Sequence, residues 1–90
     1  MNISTTRSAV ALWFAGGAPD RLVHDGTRWR VTDMPTEMWD EPAWTPALIT
    51  HPPQRFVGWR FQATDEAGTT HMFEVLRDGA GHWVLGRVYD

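Results

Sequence analysis

The chain has 90 residues, a net charge of −3 at neutral pH and no cysteine. This length allows one domain with its own core, and a hydrophobic content of 42% excludes a disordered chain. The lack of cysteine excludes disulfides and thiolate metal sites, which is compatible with a cytoplasmic protein. The negative charge disfavours sequence-independent nucleic-acid binding, and no segment approaches the roughly 20 apolar residues of a membrane helix.

The first residues predict a flexible tail over 1–8, followed by one domain over 9–90. The run "AVALWFA" (9–15) follows Arg7 and ends at Gly16-Gly17, so it partly imitates a signal peptide. Because the apolar run is short and only one charge precedes it, we favour a first β-strand.

The segment "RLVHDGTRWRVTD" (21–33) predicts a β-hairpin. Asp25-Gly26 is a preferred two-residue type I′ turn, because both positions need positive φ. This turn pairs Leu22 with Trp29, and strand alternation then places Leu22, Trp29 and Val31 on one face. Arg28 and Arg30 lie on the other face.

Residues 34–55 predict a long acidic loop. Five prolines fall in this segment, and they exclude a long helix or a central strand. Thr36 to Trp39 is compatible with one short helical turn. Trp39 and Trp44 either pack back on the domain or stay exposed.

Three further strands are predicted at 56–64, 70–77 and 82–89. The turns between them, "DEAG" (65–68) and "DGAG" (78–81), both suit a three-residue loop with a Gly bulge. The resulting pairs are Trp59 with Val75, Phe61 with Phe73, Ala63 with His71, the ion pair Arg60 with Glu74, Trp83 with Arg77, and Leu85 with Val75.

Short strands separated by turns predict an all-β fold. We expect a small antiparallel meander that forms a partly open barrel of five or six strands, SH3-like in size. The apolar residues that share its inner face are Leu22, Trp29, Val31, Trp59, Phe61, Phe73, Val75, Trp83 and Leu85.

The order "HDGTRWRV" (24–31), a segment with two Trp, "GWRFQA" (58–63) and "HWVLGRVYD" (82–90) resembles a family of small uncharacterised actinobacterial proteins. The resemblance runs from about Pro19 to Asp90. Genes of this family are often encoded beside error-prone translesion DNA polymerases, so the resemblance implies a DNA-repair context. It carries no catalytic motif.

The residues themselves favour a non-catalytic module. The four histidines lack metal-ligand spacing, and no nucleophile or phosphate-loop motif is present. We therefore expect no enzymatic activity, no metal, no cofactor and no small-molecule ligand.

Two kinds of partner remain open. The acidic, doubly aromatic stretch "MWDEPAW" (38–44) favours a protein partner, because Trp is a frequent anchor of interfaces. Its proposed binding residues are Trp39, Asp40, Glu41 and Trp44. The alternative is a nucleic-acid-binding accessory domain that contacts phosphates through Arg28, Arg30 and Arg60.

Overall fold

A computed structural model describes residues 8–40 and 54–89. The described residues form seven strands in one antiparallel sheet, which confirms the all-β prediction. The strands are β1 (Ala11–Ala15), β2 (Ala18–His24), β3 (Thr27–Val31), β4 (Thr36–Asp40), β5 (Arg55–Asp65), β6 (Thr70–Arg77) and β7 (Trp83–Tyr89). No helix long and apolar enough to cross a membrane occurs in this part of the chain.

The sheet follows the order β1-β2-β3-β5-β6-β7, and β4 pairs with β5 on the same side as β3. Val31 lies opposite Ala63, and Thr36 lies opposite Arg60, so β4 continues the path of β3 after an interruption. Residues 32–35 therefore face only residues 61–62. Across this gap the Asp33 carboxylate accepts the backbone N–H of Gln62 at 2.8 Å. Seven named strands thus occupy six positions in the meander.

The expected loop over 34–55 was wrong in part, because residues 36–40 form β4 rather than a helical turn. The physical reason lies in β5, which at 11 residues is longer than its partner β3. The uncovered part of β5 offers backbone donors and acceptors, and an extended β4 satisfies them. Residues 41–53 of the expected loop lie outside the described residues.

The two ends of the meander meet at a single bridge, between Ala9 and Val84. The N–H of Val10 donates to the carbonyl of Trp83 at 3.1 Å, and the N–H of Leu85 donates to the carbonyl of Ser8 at 2.8 Å. Within residues 8–40 and 54–89 the sheet is otherwise not closed, so the architecture is a partly open barrel. The expected tail lies outside the described residues except for Ser8.

The turns set the predicted registers. Asp25 and Gly26 have φ of 53° and 78°, as a type I′ turn requires, and Leu22 lies opposite Trp29. In the later loops, Asp65 and Asp78 each accept two backbone N–H groups of their own turn. All six pairs predicted for β5, β6 and β7 are confirmed.

The core lies between the inner faces of the strands. Its buried residues are Leu22, Phe61, Ala63, Phe73 and Val75. Partly buried residues packed against them are Val10, Leu12, Trp29, Val31, Trp59, Trp83 and Leu85. The nine residues expected on the inner face all belong to these two sets.

Candidate functional site

Five aromatic side chains form a continuous row at the surface, which we call the aromatic groove. Its members are Phe14, Trp39, Phe56, Trp59 and Trp83. Ring centroids are 5.6 Å apart for Trp39 and Phe56, 5.6 Å for Phe56 and Trp59, and 6.4 Å for Trp59 and Phe14. Phe14 then contacts Trp83 at 5.7 Å. Four strands, β1, β4, β5 and β7, therefore supply one apolar surface.

Two irregularities in strand pairing accompany this row. In the β4–β5 pair, Met38 lies opposite Gly58 but Trp39 lies opposite Phe56, so Val57 is the extra residue of a β-bulge. Strict alternation would place Phe56 and Trp59 on opposite faces. A bulge changes which face a side chain occupies, and here Phe56 packs against Trp59. In the β1–β2 pair a similar shift occurs between Trp13 and Phe14.

Four rings of the groove, all but Trp39, surround a depression of about 450 Å³, and its described lining carries one charge of each sign. Glu37 and Arg77 line it beside Phe14, Phe56, Trp59 and Trp83. The Arg77 guanidinium lies over the Trp83 ring, 5.7 Å from its centroid, in a cation–π contact. Glu37 is exposed and forms no ion pair within the described part of the chain, so its carboxylate is available to a ligand.

The rings of the groove differ in exposure. Trp39 is 52% exposed and Phe14 is 44% exposed, whereas Phe56, Trp59 and Trp83 are half-buried. Large exposed rings that are contiguous mark interaction surfaces, because burying them on binding removes apolar area from water. Such a groove can accept apolar side chains, and the carboxylate of Glu37 can accept a cationic one.

Two of the four predicted partner-binding residues belong to the described part of the chain. Trp39 lies at one end of the aromatic groove, and Asp40 is exposed beside Arg55, 3.7 Å from its guanidinium. Glu41 and Trp44 lie outside the described residues. Sequence reasoning missed Phe14 and Phe56 as members of the site.

A signal for Phe14 was present in the sequence. Gly16 and Gly17 have φ of 61° and 84°, and they form a two-residue turn that pairs Ala15 with Ala18. Treating Gly-Gly as a hairpin turn would have brought β1 into the sheet and placed Phe14 near the other rings. Phe56 depends on a bulge, for which the sequence carries no comparable signal.

The alternative function, nucleic-acid binding, was predicted to use Arg28, Arg30 and Arg60, and these three side chains differ in their surroundings. Arg60 forms the expected ion pair with Glu74, with contacts of 2.9 and 3.2 Å. Tyr89 donates to the same carboxylate at 2.9 Å, and Arg87 donates to the Tyr89 hydroxyl at 3.1 Å. The pKa of Arg87 is raised, first by the hydrogen bond with Tyr89. Arg60 is therefore held in a structural network.

Arg28 and Arg30 lie exposed on the outer face of the sheet, as alternation predicts. Arg30 is the direct cross-strand partner of Arg21, which sequence reasoning did not include.

The described residues contain no group of three side chains suited to hold a metal ion. The pKa of the Asp78 carboxyl is lowered, first by the hydrogen bond from the backbone N–H of His82 in its turn.

Comparisons of the chain with family models, with curated proteins and with solved structures give no match. The resemblance to actinobacterial proteins therefore stays a prediction, and the functional conclusions depend on the geometry of the aromatic groove and the outer face.

Proposed function

We propose that the protein is a non-catalytic interaction module that binds an extended segment of a partner protein in the aromatic groove. The observation that carries the proposal is the unbroken row of ring contacts from Trp39 to Trp83. Trp59 and Trp83 pack against the core, whereas the other three rings lie outside the core cluster and add apolar surface: Phe14, Trp39 and Phe56.

The width of the groove supports an extended ligand. Neighbouring ring centroids along the row are 5.6 to 6.4 Å apart. This range lies between the repeat of side chains on one face of a helix, about 5.4 Å, and that of alternate side chains in an extended chain, about 6.6 Å. The ring spacing therefore accommodates either ligand. A helix with its side chains is about 10–12 Å across, which is too wide for a shallow groove, so we favour an extended segment.

Strand β4 offers a second element of recognition. Among the described strands it pairs only with β5, so its other edge is unpaired there. Main-chain hydrogen bonds from an added strand supply affinity, and pockets for alternate side chains supply specificity. The free carboxylate of Glu37 favours a partner segment that carries Arg or Lys beside its apolar residues.

We further propose that this binding takes place in the cytoplasm, which the lack of cysteine supports. The resemblance of the chain favours a role in DNA damage tolerance. The lack of a catalytic motif in the sequence supports a binding function rather than an activity.

The test is a selection of displayed octapeptides on the wild-type protein, followed by affinity measurement by isothermal titration calorimetry. We expect enriched peptides with apolar residues at alternate positions and one basic residue. Trp39→Ala should weaken their binding by roughly 2 kcal/mol, the usual cost of removing a hot-spot ring. Glu37→Gln should weaken only the peptides that carry the basic residue.

The matched control is Trp13→Ala, because Trp13 and Trp39 have the same exposed fraction, 52%. Trp13 lies on the outer face and outside the groove, so its removal should leave peptide affinity unchanged. Equal loss of affinity in both variants would show that the groove does not define the binding site, and the proposal would then be wrong.

A further inference from the structure

A second exposed surface lies on the outer face of β1, β2 and β3, and we call it the arginine face. Its members are Trp13, Arg21, Arg28 and Arg30. Trp13 pairs with Arg21 across β1 and β2, and Arg21 pairs with Arg30 across β2 and β3. Arg28 lies two residues before Arg30 on the same face of β3. Trp13, Arg21 and Arg30 thus form a row across the three strands, and Arg28 lies beside this row.

Arg28 and Arg30 differ from the other described arginines, because within the described residues neither has a contact with a carboxylate or an aromatic ring. Arg28 and Arg30 form no ion pair within residues 8–40 and 54–89, and Arg21 has one exposed contact of 3.7 Å with its neighbour Asp20. Elsewhere Arg55 meets Asp40, Arg60 meets Glu74, Arg77 meets Trp83 and Arg87 meets Tyr89.

Fold stability does not explain this arrangement. Like charges directly opposite each other on neighbouring strands are destabilising, and Arg21 and Arg30 are such a pair. A ring that is 52% exposed on the same row also contributes little to the core. Features that cost stability at the surface are expected where a ligand compensates for them.

The row borders a broad depression of about 970 Å³. Three carboxylates also border it, from Asp20, Asp65 and Glu66. The carboxylate of Asp65 accepts two backbone N–H groups of its own turn, which fixes its position. The described lining holds as many carboxylates as guanidinium groups, but the three guanidinium groups lie next to one another on β2 and β3, and such a line can follow the phosphates of one strand.

We propose that the arginine face binds single-stranded nucleic acid. Arg21, Arg28 and Arg30 contact successive phosphates, and one base stacks on Trp13. Proteins that bind single strands without base readout combine these two elements, a cationic track and an exposed ring. The arginine face shares no member with the aromatic groove, and the two surfaces adjoin at Phe14, which also lines the depression. The proposal does not rest on the peptide-binding function.

The test is fluorescence anisotropy with a labelled oligothymidylate of about 12 nucleotides, within the range that small β-barrels cover. Three phosphate contacts on a single strand give a slope of log K against log salt of about −2. Affinity should therefore fall about 20-fold between 50 and 200 mM salt.

Variants separate the two elements of the site. Arg30→Gln should reduce the magnitude of the slope by about 0.7, the value for one contact on a single strand. Trp13→Ala should weaken binding about 10-fold with an unchanged slope, and Trp13→Phe should restore most of it. The control for charge is Arg55→Gln, since Arg55 is exposed and lies outside the arginine face. Thermal unfolding shows that each variant is folded.

Three results would overturn the proposal. The first is no binding of the oligonucleotide at 50 mM salt. The second is an equal effect of Arg55→Gln and Arg30→Gln, which would indicate nonspecific attraction. The third is equally strong competition by an oligoglutamate of the same charge, which would assign the face to an acidic protein partner.

Discussion

Gly58 is the glycine at which an added Cβ would lie closest to neighbouring backbone atoms. It is buried in β5, opposite Met38 of β4 and Leu76 of β6. A Cβ added there would collide with the carbonyl oxygen of Val75 and would stand 3.0 Å from the Cα of Leu76. Both neighbours are backbone atoms, so the clash is relieved only if β5 moves away from β6.

The magnitude of Gly58→Ala follows from that movement. Overpacking of a tight site costs about 1–3 kcal/mol, and a weakened backbone hydrogen bond adds about 1 kcal/mol. We expect a loss of about 3 kcal/mol in the free energy of unfolding. For a domain of this size each kcal/mol lowers Tm by about 4–8 °C, so Tm should fall by about 12–24 °C.

The assay is thermal and urea unfolding followed by circular dichroism, with Gly79→Ala as the matched control. Gly79 has open space around its Cα and no positive φ, so alanine there should be neutral or slightly stabilising. If the free energies of unfolding of Gly58→Ala and Gly79→Ala differed by less than about 0.5 kcal/mol, the inferred close approach of β5 and β6 at Gly58 would be wrong.

Three further predictions concern carboxylates that hold the sheet together. Asp33→Ala should cost about 1 kcal/mol in urea unfolding, because the N–H of Gln62 loses its acceptor; an unchanged midpoint would refute the bridge. Glu74→Ala should cost about 1–2 kcal/mol, since it removes the acceptor of both Arg60 and Tyr89, and Tyr89→Phe should cost less. Asp78 has a lowered pKa, so its contribution is fully present above the pKa of the unfolded chain and is lost as pH falls through the folded value. The stability difference between wild type and Asp78→Ala should therefore be constant above about pH 5 and shrink below about pH 4; a constant difference down to pH 2 would refute this.

Local turn chemistry made much of the fold predictable. Asp25-Gly26 and the two Asp-containing loops fix registers, because positive φ at a few positions leaves one pairing for each hairpin. The inner and outer faces then follow from alternation, which places Arg28 and Arg30 outside and Trp29 inside.

The parts that sequence reasoning missed depend on contacts between distant strands. β4 forms because β5 extends past the end of β3 and leaves backbone groups with which β4 pairs. The sequence of each strand taken alone does not predict this pairing. The bulge at Val57 joins Phe56 to the groove, and the pairing of β1 with β2 places Trp13 beside Arg21. Tertiary pairing, rather than local propensity, therefore determines both proposed binding surfaces.

The aromatic groove is tested most directly by a heteronuclear NMR titration that follows the indole N–H signals of the tryptophans. A peptide selected on the wild-type protein should shift the signals of Trp39, Trp59 and Trp83, since their rings line the groove. The signals of Trp13 and Trp29 should stay in place. Shifts centred on Trp13, or no indole shift at saturation, would contradict the assignment of the groove as the site where the partner binds.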